Sequence, residues 1–189
     1  MRSGLGLSES TAEPHGSRLR VRAAVSGRPR STISTGLPVL DHLVSLLAEY
    51  AALDLSLEVE PGAAVDEVAA AGRALGEALA PELRGAGVRG HGSAAVPADE
   101  ALAHVALEAS DRPLVVSNVD LTEARVGGLE SDVVGEFLRQ LSEGAGLTLH
   151  VRLIEGRDTA HVLEAIFKAL GVALAQAGRP RGVPTTRKE

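Results

Sequence analysis

The sequence predicts an α/β fold of the α+β sandwich kind, with helices packed on mostly antiparallel sheets and an internal pseudo-two-fold. Two observations predict it. Segments of alternating apolar residues are interleaved with segments whose apolar residues recur every three to four positions. A helix–strand–helix pattern also occurs twice in the same order. EYAALDLSLEV from Glu49 aligns with EGAGLTLHVRL from Glu143, an offset of 94, and AAAGRALGEALA from Ala69 aligns with EAIFKALGVALA from Glu164, an offset of 95. Chance likeness between Ala-rich helices explains one such match; it does not explain helix, strand and helix recurring at nearly one offset. The repeat units are 38–80 and 131–177.

In chain order, RLRVRAAV alternates as a strand, LPVLDHLVSLLAEYA has helical periodicity, and LDLSLEVE alternates again. VDEVAAAGRALGEALA is a helix. SAAV, ALAHVALEAS and PLVVSNVDL are strands, followed by helix SDVVGEFLRQLSEGA, strand LTLHVRLIE and helix TAHVLEAIFKALGVALAQA. Residues 1–17 are small and polar, and 178–189 (GRPRGVPTTRKE) are rich in Pro, Gly and Arg, so a tail and an arm flank a single domain over 18–177.

With 189 residues the chain is long enough to bury a core, and 44% hydrophobic with 23% charged residues is an ordinary globular balance. Aromatics are only 2%, which limits the area each core residue buries and makes subunit contacts an expected aid. A net charge of −6 gives no basic field for nucleic acid or anionic lipid, so neither is an expected partner. The absence of cysteine removes disulfides, thiolate metal sites and cysteine nucleophiles. The first residues lack the apolar core of a signal peptide and no membrane-length apolar run is read, so a cytoplasmic location is expected.

The chemistry concentrates in GRDTAHVLEAIFKAL. His161 and Glu164 are three apart on one helix face, and Lys168 follows four later. Imidazole plus carboxylate suits a divalent Mn, Fe or Zn ion. A solvated face with a Glu–Lys pair worth about 0.3–0.5 kcal/mol fits the same spacing, and both readings stay open at this point. Alternation puts His150 on the strand face opposite Leu147 and Leu149. His42 follows Asp41, a candidate helix cap, near the start of a helix. By the repeat, Asp66 corresponds to His161, Ala69 to Glu164, Arg73 to Lys168 and Ser56 to His150. His15, His91 and His104 have no partner pattern.

STISTGLPVLDHL, VPADEALAHVALEASDRPLVV, AGLTLHVRLIEG and HVLEAIFKAL, in this order, resemble the imidazoleglycerol-phosphate dehydratase family over Arg18 to Arg187. The resemblance implies a duplicated α/β unit, a 24-subunit homo-oligomer with sites between subunits, and manganese-dependent removal of water from imidazoleglycerol phosphate in histidine biosynthesis. It implies metal ligation by His42, Asp66, His150, His161 and Glu164, with Glu164 also a catalytic candidate. Ala160 stands where the family has the first histidine of a His-His-x-x-Glu motif. In the first repeat the motif falls on Val65, Asp66 and Ala69. The set therefore implies one manganese at most, against the family's two. Arg112, Lys168, Thr185, Thr186 and Arg187 match phosphate contacts. A family arginine falls at Gly90 beside Arg89, and an N-terminal glutamate near Gly16, with Glu13 close by. Two alternatives accompany this reading: a non-catalytic paralogue kept for assembly or regulation, and a lyase acting on a related imidazole or phosphorylated polyol.

Overall fold

The computed structural model of the chain describes residues 31–59, 64–119, 125–126, 129–130 and 132–182. The strand expected at RLRVRAAV, the N-terminal tail and the arm beyond Gly182 lie outside them. The elements run β1 (Thr32–Ser34), α1 (Pro38–Ala51), β2 (Ser56–Glu58), α2 (Ala64–Arg84), β3 (His91–Ala98), β4 (Ala101–Ala109), β5 (Leu114–Ser117), β6 (Arg125–Val126), β7 (Leu129–Glu130), α3 (Asp132–Ala145), β8 (Leu147–Glu155) and α4 (Thr159–Ala177).

Four strands form a sheet in the order β3-β4-β8-β5, antiparallel except for the parallel β5–β8 edge. Its inner face, including Ala103, Val105, Leu149 and Val151, is buried, and α4 packs on β3 and β4. Val162, Ile166, Phe167, Leu170 and Leu174 line the core side of α4 at helical spacing. The other sheet face stays open and carries His150, Arg152 and Ile154. Phe137 and Phe167, the chain's two phenylalanines, are fully buried with ring centroids 5.5 Å apart.

The duplication is visible atom by atom. Helices pair α1 with α4 and α2 with α3, which is what a two-fold exchanging the units requires. A Cβ on Gly76 would lie 2.5 Å from the Leu141 carbonyl oxygen and 2.8 Å from the Ala145 nitrogen. On Gly171 it would lie 2.5 Å from the Leu47 carbonyl oxygen and 3.0 Å from the Ala51 nitrogen. Leu47 and Leu141, and Ala51 and Ala145, are one repeat apart, as are Gly76 and Gly171. Each of the two helix contacts between the units thus closes at an equivalent glycine. The positive φ of 53° at Ala52 recurs as 64° at Gly146, and the parallel pair β1–β2 corresponds to β5–β8.

Three expectations change. Helix α2 continues through Pro81 to Arg84, because buried Leu83 and the bond from Arg84 Nη2 to the Ala145 carbonyl (2.8 Å) hold the last turn despite the missing N–H. The strand read over LDLSLEVE shortens to Ser56–Glu58. And α4 is long and apolar enough to cross a membrane, but 61% of that window is buried inside the fold, so here it is a core helix.

Candidate functional site

Helix α1 opens with Pro38 in its first turn after Leu37, whose side chain makes no cap bond. Asp41 is not the cap expected of it. Its Oδ1 lies inside the first turn and accepts from the Thr35 backbone N–H (2.8 Å) and the Thr35 hydroxyl (2.6 Å). Those bonds tie the β1–α1 turn to the helix and fix the bearing of the next residue, His42. Its Nε2 lies 3.1 Å from Glu164 Oε1, across the α1–α4 contact that the close approach at Gly171 allows. Pro38, Val39, Leu43, Ala160 and Leu163 complete a largely apolar recess of about 220 Å³ around the pair.

Lys168 Nζ lies 3.4 Å from Glu164 Oε2, so the two carboxylate oxygens face different partners. Burial alone would raise the Glu164 carboxyl, but the bonds from His42 and Lys168 outweigh it and the group sits below its ordinary range. It is a carboxylate at neutral pH.

His161 lies one turn before Glu164 on the same helix. Asp158 caps that helix, accepting from the backbone N–H groups of Ala160 (2.8 Å) and His161 (3.4 Å). The His161 ring is held by the β3–β4 hairpin tip: Nδ1 is 2.6 Å from Glu100 Oε2, and Nε2 is 3.3 Å from Asp99 Oδ2. The Glu100 bond, more than the surrounding acidic charge, raises the imidazole above its ordinary value. Glu100 is driven down to about 2, first by the Asp158 backbone N–H and then by His161. Asp99 and Glu100 fall inside VPADEALAHV, one of the stretches that carry the resemblance, but nothing in that stretch marks them as partners of His161; the packing of the hairpin on α4 does.

The other candidates lie elsewhere. Asp66 is exposed in the first turn of α2, on the other helix pair. His150 is exposed on the open sheet face, opposite Leu147 and Leu149 as the alternation implies. Arg112 is exposed in the β4–β5 connection, where its carbonyl accepts from the Thr148 hydroxyl (3.1 Å). Thr185, Thr186 and Arg187 lie outside the described residues.

As donors for a divalent metal, His42 and Glu164 fit as a pair of an imidazole and a carboxylate already in contact, with His161 one turn away. Among the described residues no three His, Asp or Glu side chains of one chain gather as a metal cluster. His150 points away from the pair on the far side of the sheet, so its imidazole meets such donors only if they come from another copy.

Proteins of known sequence and structure share the sequence and the fold that hold these residues. An imidazoleglycerol-phosphate dehydratase from Syntrophobacter fumaroxidans is 41% identical over 96% of this chain and 98% of its own length. One from Moorella thermoacetica is 40% identical over 89% and 90%. The crystal structure of the Staphylococcus aureus imidazoleglycerol-phosphate dehydratase superposes with a TM-score of 0.83 at 29% identity, covering 93% of this chain and 99% of that one. The Pyrococcus furiosus enzyme, solved in complex with (S)-C348, gives 0.78 at 25% identity, covering 94% and 96%. The sequence model of the imidazoleglycerol-phosphate dehydratase family matches residues 35–174, from the Thr35 turn that orients His42 to Leu174 near the end of α4. By sequence, fold and duplication alike, the chain belongs to the imidazoleglycerol-phosphate dehydratase family.

Proposed function

We propose that the chain is a hydro-lyase of histidine biosynthesis, converting imidazoleglycerol phosphate to imidazoleacetol phosphate and water with one manganese site. The observation that carries this reading is the His42–Glu164 pair, held 3.1 Å apart in an apolar recess at the α1–α4 contact. The names of the relatives supply the substrate. A bound manganese would polarise the substrate's imidazole ring. The chain's own groups do the rest. Glu164, ionised at neutral pH and steadied by Lys168, is the residue poised to hold a metal or accept a proton. His161 adds a second imidazole from the same helix face. Arg112, Lys168, Thr185, Thr186 and Arg187 supply cations and hydroxyls for the phosphate.

Association belongs to this reading. Leu114 and Ile154 are 52% and 58% exposed on the open sheet face that carries His150. A homo-oligomer that covers this face brings His150 to donors of a neighbouring copy; Asp66, in the first turn of α2, is exposed apart from that face. A cytoplasmic location completes the proposal.

A non-catalytic subunit kept for assembly is the second reading, and one observation favours it. At the pseudo-equivalent α2–α3 contact, Arg73 reaches Glu77 (3.1 Å) and Glu143 (3.6 Å), and Arg139 bridges Glu136 and Glu143. By the repeat, Glu136 stands for His42, Ala69 for Glu164 and Arg73 for Lys168, so ion pairs replace the imidazole–carboxylate pair there.

Elemental mass spectrometry of the purified protein with a turnover assay on imidazoleglycerol phosphate separates the two. The lyase reading expects about one manganese per chain, lost in H42A, and a turnover rate reduced about 100- to 10,000-fold in E164Q. No bound metal together with no turnover sinks it and leaves the assembly subunit; turnover of a related imidazole or phosphorylated polyol alone reassigns the substrate.

A further inference from the structure

We infer that Glu100 is a positioning residue that holds the His161 ring with Nδ1 as its donor, leaving Nε2 as the nitrogen available to a divalent metal. The inference rests on the reading of His161 as a metal ligand and deepens it. Its geometry comes from three bonds on one carboxylate. Oε1 accepts the backbone N–H groups of Asp158 (2.9 Å) and Arg157 (3.3 Å), and Oε2 accepts His161 Nδ1–H (2.6 Å). The hairpin tip between β3 and β4 is thereby fastened to the turn that starts α4, and the ring is fastened with it.

A carboxylate that accepts from one ring nitrogen fixes the tautomer and the orientation of a metal-binding histidine. The surroundings of Nε2 agree: it faces Asp99 Oδ2 at 3.3 Å, and between two such acceptors only a cation, a proton or a metal, is at ease. Asp99 itself sits at φ 45°, at the corner of the hairpin.

The variant E100Q separates positioning from support. Its amide oxygen can still accept from Asp158 and Arg157, so the start of α4 keeps its tie. The amide NH₂ then faces Nδ1, which must become an acceptor, and the proton moves to Nε2 and blocks it. Nitrogen-15 NMR of the histidine rings in metal-free protein, with H161A to assign the signal, reads this directly at a pH where the ring is neutral. Wild type is expected to carry the proton on Nδ1 and E100Q on Nε2. Manganese titration is expected to show affinity about 10- to 100-fold lower in E100Q, with a melting temperature close to that of wild type.

A lowered melting temperature with unchanged manganese affinity assigns Glu100 a supporting role only and overturns the inference. So does a His161 ring that stays protonated on Nδ1 in E100Q. Wild type that takes up no manganese overturns the metal reading of the site, whereas the ring tautomers in that same protein still decide whether Glu100 sets His161.

Discussion

The glycines at the two helix contacts give the sharpest quantitative test of the fold. A Cβ on Gly171 would sit 2.5 Å from the Leu47 carbonyl oxygen and 2.9 Å from Tyr50 Cβ; one on Gly76 would sit 2.5 Å from the Leu141 carbonyl oxygen and 2.8 Å from the Ala145 nitrogen. Most of these neighbours are backbone atoms and cannot rotate aside, so each helix pair must part. Overpacking of this kind costs about 1–3 kcal/mol, against roughly 1 kcal/mol that alanine gains over glycine in helix propensity. Gly135, inside α3, supplies the control, because nothing lies within 4 Å of its would-be Cβ. G76A and G171A are therefore expected to destabilise by similar amounts, up to about 2 kcal/mol net, while G135A stabilises by about 0.5–1 kcal/mol. At roughly 2–4 °C per kcal/mol for a chain of this size, thermal melts followed by circular dichroism at one fixed protein concentration resolve the difference in sign. If G76A and G171A raise the melting temperature as G135A does, the close approach is wrong. If only one of the two destabilises, the contacts are not equivalent and the two-fold argument fails.

Truncating either core ring, F137A or F167A, removes half of a fully buried aromatic pair and should cost about 3–5 kcal/mol in urea unfolding. D158A removes the cap of α4 and should cost about 1 kcal/mol, measured in the same way. The Glu100–His161 pair makes stability pH-dependent with a defined sign. The Glu100 carboxyl lies at about 2 against an ordinary 4.5, so its contribution is present above about 4.5 and is lost as pH falls toward about 2. His161 is raised above 6.5, so its contribution is present below about 6.5 and is lost as pH rises through the raised value. The gap in urea midpoint between wild type and E100A should be widest between about pH 4.5 and 6.5 and narrow on both sides; a gap independent of pH would contradict the pairing.

Where the sequence carries strict periodicity between clear stops, it was readable to the residue. LTLHVRLIE is β8 and TAHVLEAIFKALGVALAQA is α4, separated by Gly156 at positive φ and the cap Asp158. LDLSLEVE shows the limit of that signal. Alternation reports burial, and Leu53, Leu55, Leu57 and Val59 are indeed buried, but a strand also needs a partner: among the described residues Ser56–Glu58 is paired with β1, with bonds from Leu55 and Val59 at its two ends. The site divides in the same way. His42 and Glu164 are 122 residues apart, and no local pattern joins them; their meeting depends on α1 and α4 closing at Gly171. The role of Glu100 was not legible, although its stretch carries the resemblance, because acidic residues at a hairpin corner are common and its partners are two backbone N–H groups and a ring 57 to 61 residues away.

The duplication turns these particulars into an argument about the site. Both helix pairs are built on the same glycine contact, so a difference between them is one of side-chain chemistry, not of architecture. At α1–α4 the facing groups are an imidazole and a carboxylate backed by a single lysine; at α2–α3 they are carboxylates already matched to Arg73 and Arg139. A divalent ion entering the second position would have to displace guanidinium groups that make two-point contacts, whereas at the first it competes with one imidazole and a single ammonium at 3.4 Å. If the chain binds metal, the α1–α4 contact is where the competition is weakest, and metal uptake that survived H42A but vanished in E136Q or E143Q would reverse that ordering.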